Sequence, residues 1–374
     1  MIIGIPTETK VHEYRVGMVP AGVRTLTSRG HKVLVQRGAG DGTGMNDEAY
    51  IAAGAEICEE ALEVWKRSEM IIKVKEPLPP EHELIQENQI IYTFFHLAAV
   101  PELAKVLIDK KVAAVAYETI QTNDGALPLL KPMSEVAGKM SVQVGARCLE
   151  KAHGGRGVLL GGVPGVRRGR VVILGGGVVG TSALKIAIGM GAEIRILDVS
   201  HERLAYLDDV FGARITTIFS NAQTVADCVR EADLLVGAVL VPGAKAPRLV
   251  TRELISEMQE GSVVVDVAVD QGGCVETCRP TTHENPTFKV DGVVHYCVAN
   301  IPGAVAYTST LALTNTTTSY AVALAEQGVE KAMKNDRALA WGLNTYRGKI
   351  PHKAVADSLA LPYTPIEELL GRIG

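Results

Sequence analysis

Residues 170–180 read Arg-Val-Val-Ile-Leu-Gly-Gly-Gly-Val-Val-Gly, a β-branched strand that runs straight into glycines and then into a helical pattern. Few short segments constrain a fold as strongly. A strand joined to a helix by so tight a turn belongs to a βαβ unit, and βαβ units build parallel sheets covered by helices on both faces. The glycines act differently. Gly175 permits the turn, Gly177 lets the backbone approach a phosphate, and Gly180 lets the helix pack closely on the strand. The N–H groups and dipole of the helix start, near Val178 and Val179, then suit a pyrophosphate. Asp198 closes the next apolar run, eighteen residues after Gly180. A carboxylate there accepts hydrogen bonds from both ribose hydroxyls of an adenosine and repels a 2′-phosphate, which favours NAD over NADP. Two observations stand beside that reading: Asp198 also suits a cap for the following helix, and Arg203, five residues on, is of the type that receives a 2′-phosphate.

The same rhythm runs along most of the chain. Short apolar runs at Ile2–Ile5, 32–35, 70–74, 90–94 and 112–116 alternate with helical patterns at 20–29, 59–67 and Pro101–Asp109. A second series has strands at 171–174, 193–197, 214–218, 234–239 and 263–267, with helices at 181–190 and 252–258 between them. From Tyr307 onward the pattern is mainly helical. With 374 residues, the chain exceeds one ordinary core, and two domains are expected. Between the two series lie a helical stretch at 134–151 and a glycine-rich segment at 154–166, GGRGVLLGGVPGV, which reads either as a linker or as a loop packed near a ligand.

Composition excludes several classes. A formal net charge of −4 gives no electrostatic reason to expect nucleic acid or an anionic membrane as partner. No apolar run approaches the ~18 residues of a membrane helix, and the first residues lack the basic and apolar regions of a signal peptide, so the cytoplasm is the expected compartment. The six cysteines (Cys58, Cys148, Cys228, Cys274, Cys278 and Cys297) form no metal-binding spacing and read as reduced thiols.

Ligands of open parallel sheets bind at the carboxyl ends of strands. Three residues fall just past such ends: Arg15 after the first run, Lys75 after the third and His96 after the fourth. Singly they read as a surface ion pair, a solvated terminus and a satisfied histidine; their shared edge points to a site. In the second series the run DVAVDQGG (266–273) puts Asp266 and Asp270 past an apolar strand, one suited to cap a turn and the other to face a ligand. Ser134, after Pro132, reads as a helix cap.

Taken together, these segments resemble the alanine dehydrogenase family over essentially the whole chain. The resemblance rests on GIPTE-x5-YRV from Gly4, KVKEP from Lys73, FHLA from Phe95, PMSEVAG from Pro132, GGVPGV, GGGVVG, VPGAKAP-x-LV from Val241, DVAVDQGG, RPTTH from Arg279 and VANIPGAV from Val298. It implies two Rossmann-like doubly wound domains, with an NAD domain (129–306) inserted into a discontinuous substrate domain (1–128 and 307–374). It also implies NAD-dependent conversion of L-alanine to pyruvate and ammonium, usually by a homohexamer. Arg15 and Lys75 would bind substrate. His96 would be the acid/base, with Asp270 beside the amine or the attacking water. Cofactor contacts are implied for Ser134, Val178, Asp198, Arg203, Ser220, Val239, Leu240, Val267, Ala268, Val269, Asp270, Arg279, Val298, Ala299, Asn300 and Ile301, besides the glycines. There are departures. His12 replaces a more usual Asn, Ala306-Tyr307 replaces Pro-Arg, and Ala323 with Gln327 occupies a region where some relatives carry a metal pair; no metal is expected here. The alternatives are a dehydrogenase of another small 2-amino acid, the NAD-binding subunit of a proton-translocating transhydrogenase, or a non-catalytic NAD sensor; Lys75 and His96 speak against the second, and these two with Arg15 and Asp270 against the third.

Overall fold

A computed structural model describes residues 1–239, 246–269 and 272–371. The chain divides into two compact units, residues 1–133 with 305–374 and residues 134–304. The described residues hold fourteen strands. In chain order they are β1 (Ile2–Ile5), β2 (Lys32–Gln36), β3 (Glu56–Cys58), β4 (Met70–Ile72), β5 (Ile90–Thr93), β6 (Ala113–Ala116), β7 (Arg170–Leu174), β8 (Glu193–Asp198), β9 (Thr216–Phe219), β10 (Leu234–Gly237), β11 (Val263–Asp266), β12 (Thr287–Val290), β13 (Val293–Tyr296) and β14 (Leu343–Thr345).

In the first unit the sheet order is β14-β6-β5-β4-β1-β2-β3. Every pairing is parallel except that of β14, which closes one edge antiparallel to β6. Strands β4, β5 and β6 are buried along their whole length, which is why they read as unbroken apolar runs and not as alternation. One face packs on a cluster that includes Trp65, Ile71, Ile91, Phe95 and Leu107. Tyr92 of β5 donates its hydroxyl to the Thr317 carbonyl at 3.2 Å, within the helix Ala306–Asn335. That helix kinks at Gly328 (φ 68°, ψ 170°).

The second unit has the order β12-β13-β11-β10-β7-β8-β9, parallel except for the edge hairpin β12–β13. The order reverses on either side of β7, the strand of the glycine turn, and such a switch point is where open sheets bind ligands. The segment 154–166 forms no regular helix and is pinned to the opposite edge. Fully buried Asp233, just before β10, accepts from Arg156 Nη1 at 2.9 Å, from Arg167 Nη1 and Nη2 at 2.7 and 3.0 Å, and from the Arg170 N–H at 2.8 Å. The Arg156 N–H donates to the Gly261 carbonyl at 2.9 Å. Burial alone would raise the Asp233 carboxyl, but Arg167, the Arg170 N–H and Arg156 together outweigh it and hold the group below its ordinary value. No described helix is long and apolar enough to cross a membrane.

Candidate active site

In the first unit Arg15, Lys75 and His96 leave the carboxyl ends of β1, β4 and β5, three adjacent strands. At a strand spacing of about 4.8 Å the ends of these three strands span about 10 Å across the sheet. Each is held by a glutamate.

Arg15 is almost wholly buried. Its Nε and Nη2 donate to Glu13 Oε1 and Oε2, both at 2.6 Å, and Nη1 lies 3.1 Å from Met133 Sδ. The fork expected to grip a substrate carboxylate is thus turned to Glu13, and a ligand reaching this guanidinium shares it with that side chain. The neighbouring Val16 N–H is steadied by Thr310 Oγ1 at 3.4 Å.

Lys75 continues from a segment fastened by Glu8, whose carboxylate accepts from the Val74 N–H at 2.6 Å and the Lys75 N–H at 3.3 Å. Thr93 Oγ1 donates to the Lys75 carbonyl at 3.0 Å. The Lys75 ammonium makes no hydrogen bond or ion pair among the described residues. Burial, and then the positive charges of Arg15 and Lys10, push it below the usual lysine value. Those charges show that the structure brings Arg15 and Lys75 together.

Sequence reasoning passed over Lys73, two residues earlier in the same KVKEP motif. Its side chain is fully buried, with Nζ 3.0 Å from Glu81 Oε1 and 3.3 Å from Glu8 Oε2, contacts held by charge and not by well-aligned hydrogen bonds. Burial pulls this ammonium down, yet Glu8 and Glu81 outweigh it and keep it above its ordinary value. Glu81 also accepts from Thr9 Oγ1 and the Leu78 N–H, each at 2.9 Å. The cluster braces the platform beneath Lys75. The signal that could have found it is a lysine whose only neighbours in an apolar run are buried, which demands a buried counter-charge.

His96 stands in the left-handed region (φ 51°, ψ 42°), a conformation that costs a non-glycine residue about 1–3 kcal/mol and clusters at functional sites. The Glu118 carboxylate receives its N–H at 2.6 Å. The ring, about half exposed, lies parallel to Phe94 at 5.9 Å.

In the second unit the expected cofactor contacts follow the carboxyl ends of successive strands: the glycines after β7, Asp198 at the end of β8, Ser220 after β9, Val239 after β10, Val267, Ala268 and Val269 after β11, and Val298, Ala299, Asn300 and Ile301 after β13. Gly175 has φ +100°, and a Cβ there would sit 2.7 Å from the Ala238 carbonyl oxygen. At Gly180 a Cβ would lie 1.8 Å from the Gly175 oxygen, whereas at Gly177 nothing lies within 4 Å. Gly177 starts the helix Val178–Gly189 with no side-chain cap, so its first N–H groups face an open cradle beside exposed Val178 and half-exposed Val179. The residues present fit a dinucleotide pyrophosphate.

Asp198 does not cap the next helix; Ser200 does so by accepting from the Arg203 N–H at 3.2 Å. The Asp198 carboxylate receives the Gly176 N–H at 2.7 Å and the Ser200 N–H at 2.9 Å, and its carbonyl receives the Ser220 N–H at 2.9 Å. Arg203 is committed to the glycine turn: Nε donates to the Gly176 carbonyl and Nη2 to Thr181 Oγ1, both at 2.6 Å, while its guanidinium lies over Tyr206.

Other expected contacts have structural partners. Arg279 lies over Phe288 at 4.5 Å, and His283 Nε2 donates to the Asn300 carbonyl at 2.8 Å. Val298 and Ile301 are buried, so they offer backbone more than side chain. Ser134 is no helix cap, because its helix begins three residues earlier at Lys131, where Pro132 needs no N–H partner; half-buried, its hydroxyl makes no hydrogen bond among the described residues. Asp266 is the turn-holding acid of DVAVDQGG, fully buried and accepting from the N–H groups of Ala268, Cys274 and Val275 at 3.0, 2.9 and 3.2 Å. Leu240 and Asp270 lie outside the described residues. One acid–thiol grouping among those residues, Glu56, Cys58 and Glu63, is bridged by Arg67, which donates to both carboxylates and to the thiol.

Two doubly wound α/β units, one carrying a dinucleotide-type glycine turn and the other a row of cationic and imidazole side chains, define the class to which this protein conforms. The chain belongs to the alanine dehydrogenase/PNT family: residues 4–137 match the family's N-terminal domain and residues 141–353 its C-terminal domain. It is 58% identical to the alanine dehydrogenase of Methanococcus maripaludis over 371 residues, 99% of this chain and 100% of that one. It is 55% identical to that of Bacillus subtilis, covering 99% and 98%. A solved L-alanine dehydrogenase superposes with a TM-score of 0.94 at 53% identity, covering 96% of this chain and 99% of that one. A transhydrogenase from Sinorhizobium meliloti, at 24% identity, TM-score 0.80 and coverage of 95% and 100%, shares the fold.

Proposed function

We propose that this protein is an L-alanine dehydrogenase: L-alanine, water and NAD give pyruvate, ammonium and NADH, with one proton released. The observation that carries the reading is Lys75, a lysine lowered by burial and by Arg15 beside it, on the strand next to that of His96. Two cations at one sheet edge suit the carboxylate of a 2-amino acid, which they hold and orient. Lys75 also polarises the oxygen that becomes the ketone. His96 takes the proton of the water that adds to the imine and returns it to the departing amine, since imidazole exchanges protons near neutral pH. Asp270 is assigned the amine or the attacking water on the resemblance alone. Bound NAD supplies the hydride acceptor.

In this reading residues 1–133 with 305–374 bind substrate and residues 134–304 bind NAD. Preference for NAD over NADP is supported by Asp198 at the end of β8 and by Arg203, two of whose donors are engaged by Gly176 and Thr181 at the glycine turn. Ser134, Ser220, Val239, Leu240, Val267–Asp270, Arg279 and Val298–Ile301 complete the proposed cofactor contacts. The enzyme is proposed to act in the cytoplasm, without a metal, as a homohexamer, an assembly that sedimentation equilibrium tests.

The experiment is NADH absorbance with L-alanine beside serine, valine, glutamate and 2-aminobutyrate. Turnover is expected with alanine foremost; turnover of another amino acid with none of alanine removes the substrate assignment. His96→Ala is expected to lose oxidation and to keep NADH binding, and wild-type rates in that variant overturn the role given to His96.

A further inference from the structure

The residue that holds His96 follows a different strand. Glu118 sits in the short turn Tyr117–Thr119 that follows β6, the neighbour of β5. Its Oε1 accepts from the His96 N–H at 2.6 Å and from the Phe95 N–H at 3.2 Å, and its Oε2 lies 3.3 Å from the same Phe95 nitrogen. Two successive backbone N–H groups converging on one carboxylate form a concavity suited to an anion. The same Oε1 is 4.0 Å from His96 Nδ1.

This grip falls on the one residue of the loop whose backbone resists its conformation, His96 at φ 51°. A left-handed histidine persists only where its surroundings over-determine it. Here Leu97 is buried on one side, Phe94 stacks on the ring, and Glu118 clamps the amides. Glu118 is itself fixed. Thr119 beside it accepts from Asn344 Nδ2 at 2.7 Å, and the Glu118 side chain is only 14% exposed. His352, which caps the helix Lys353–Leu359 by accepting from the Val355 N–H at 3.4 Å, is the second imidazole that faces this carboxylate.

We propose that Glu118 is a positioning residue for the reaction, holding the His96 loop in its strained conformation so that the imidazole stays aimed at the substrate. The inference rests on the reading of His96 as the acid/base of alanine oxidation. Reach matters more than charge, because the carboxylate oxygen must lie between both amides.

Two substitutions separate these. Glu118→Gln keeps the reach and an acceptor oxygen while removing the charge; Glu118→Asp keeps the charge and withdraws it by one methylene. Glu118→Asp is expected to lose about 10²-fold in kcat, the scale of a 1 Å misplacement. KM for alanine and the NADH dissociation constant stay close to wild type. The solvent isotope effect on kcat rises, since proton transfer becomes the slower step. Glu118→Gln is expected to stay within about tenfold of wild type. Wild-type kcat in Glu118→Asp overturns the proposal, as does a loss of kcat with an unchanged solvent isotope effect, the mark of a plain folding role. Wild type and His96→Ala are run beside them. An active wild type, an inactive His96→Ala and an unaffected Glu118→Asp sink this inference alone; a wild type without alanine turnover sinks the reading on which it rests.

Discussion

Lys73→Met removes one positive charge from the interior of the first unit and changes little else, because the methionine follows the apolar stem of the lysine. Glu8 and Glu81 are left facing one another across the space that Nζ occupied, 3.3 and 3.0 Å from it in the native chain. Breaking a buried ion cluster by deleting one partner costs about 3–5 kcal/mol. In a unit of roughly 200 residues each kcal/mol moves the thermal midpoint by about 2–4 °C, so a fall of about 10 °C is expected at pH 8. The loss depends on pH, and its sign follows from Glu8. Burial already raises that carboxyl above its ordinary value of 4.5, against the opposing charge of Lys73. Without the lysine it rises further. A carboxyl that binds its proton more readily when folded contributes stability that is fully present below the unfolded value and lost as pH rises through the folded one. The variant is therefore nearest to wild type at pH 5 and falls away as the buffer becomes neutral and then basic. Differential scanning calorimetry of both proteins from pH 5 to 8 measures this directly. A midpoint difference that is the same at every pH, or that stays below about 2 °C throughout, refutes the counter-charge reasoning.

Gly180→Ala sets a methyl group 1.8 Å from the Gly175 oxygen, so helix and strand must part; about 1–3 kcal/mol of stability is expected to go, and NADH affinity by calorimetric titration to weaken at least about tenfold. A wild-type dissociation constant there contradicts the close-packing role of Gly180. Asp198→Ala frees the Gly176 and Ser200 N–H groups together, and the ratio of kcat/KM for NAD over NADP is expected to fall; an unchanged ratio removes Asp198 as the discriminating acid. Asp233→Ala deletes the acceptor of Arg156, Arg167 and the Arg170 amide, costing about 3 kcal/mol in urea denaturation, with KM for alanine and NAD unmoved; an altered KM argues that the pinned segment touches the site.

The fold was legible because its strands are buried on both faces. Runs such as Ile90–Thr93 and Val263–Asp266 need no tertiary information to be recognised, and observed ends differ from expected ones by a few residues. The edges are harder to read: β3, β12 and β14 are short or half exposed, and a strand at the margin of a sheet needs no continuous apolar run. The glycine turn was equally legible, since Gly175, Gly177 and Gly180 answer to backbone geometry that the sequence states outright. The chemical edge was legible only in part. Arg15, Lys75 and His96 could be placed past strand ends, but their partners come from elsewhere in the chain. Glu118 lies 22 residues from His96, and Glu8 lies 66 from Val74. Glu13 is only two residues from Arg15, yet nothing local foretells that its carboxylate fills the fork of that arginine.

Those three glutamates follow one physical rule. A loop that leaves the carboxyl end of a buried strand carries backbone N–H groups that the sheet no longer satisfies, and where they are buried they need another acceptor. Glu8 takes the amides of Val74 and Lys75, Glu118 takes those of Phe95 and His96, and Glu13 takes the amide of Arg15 at 3.1 Å together with its side chain. Each carboxylate therefore does two things at once. It satisfies backbone at the strand end, and it lies beside a cationic or imidazole side chain: Lys73 for Glu8, His96 for Glu118 and Arg15 for Glu13. The second unit arranges the same need differently: there Asp198 and Asp266 receive loop amides at the carboxyl ends, while the arginine cluster on Asp233 is kept to the far edge. Under the proposed function, a substrate carboxylate at this edge meets cations whose backbone is already held by carboxylates, so binding need not reorganise the loops before chemistry begins.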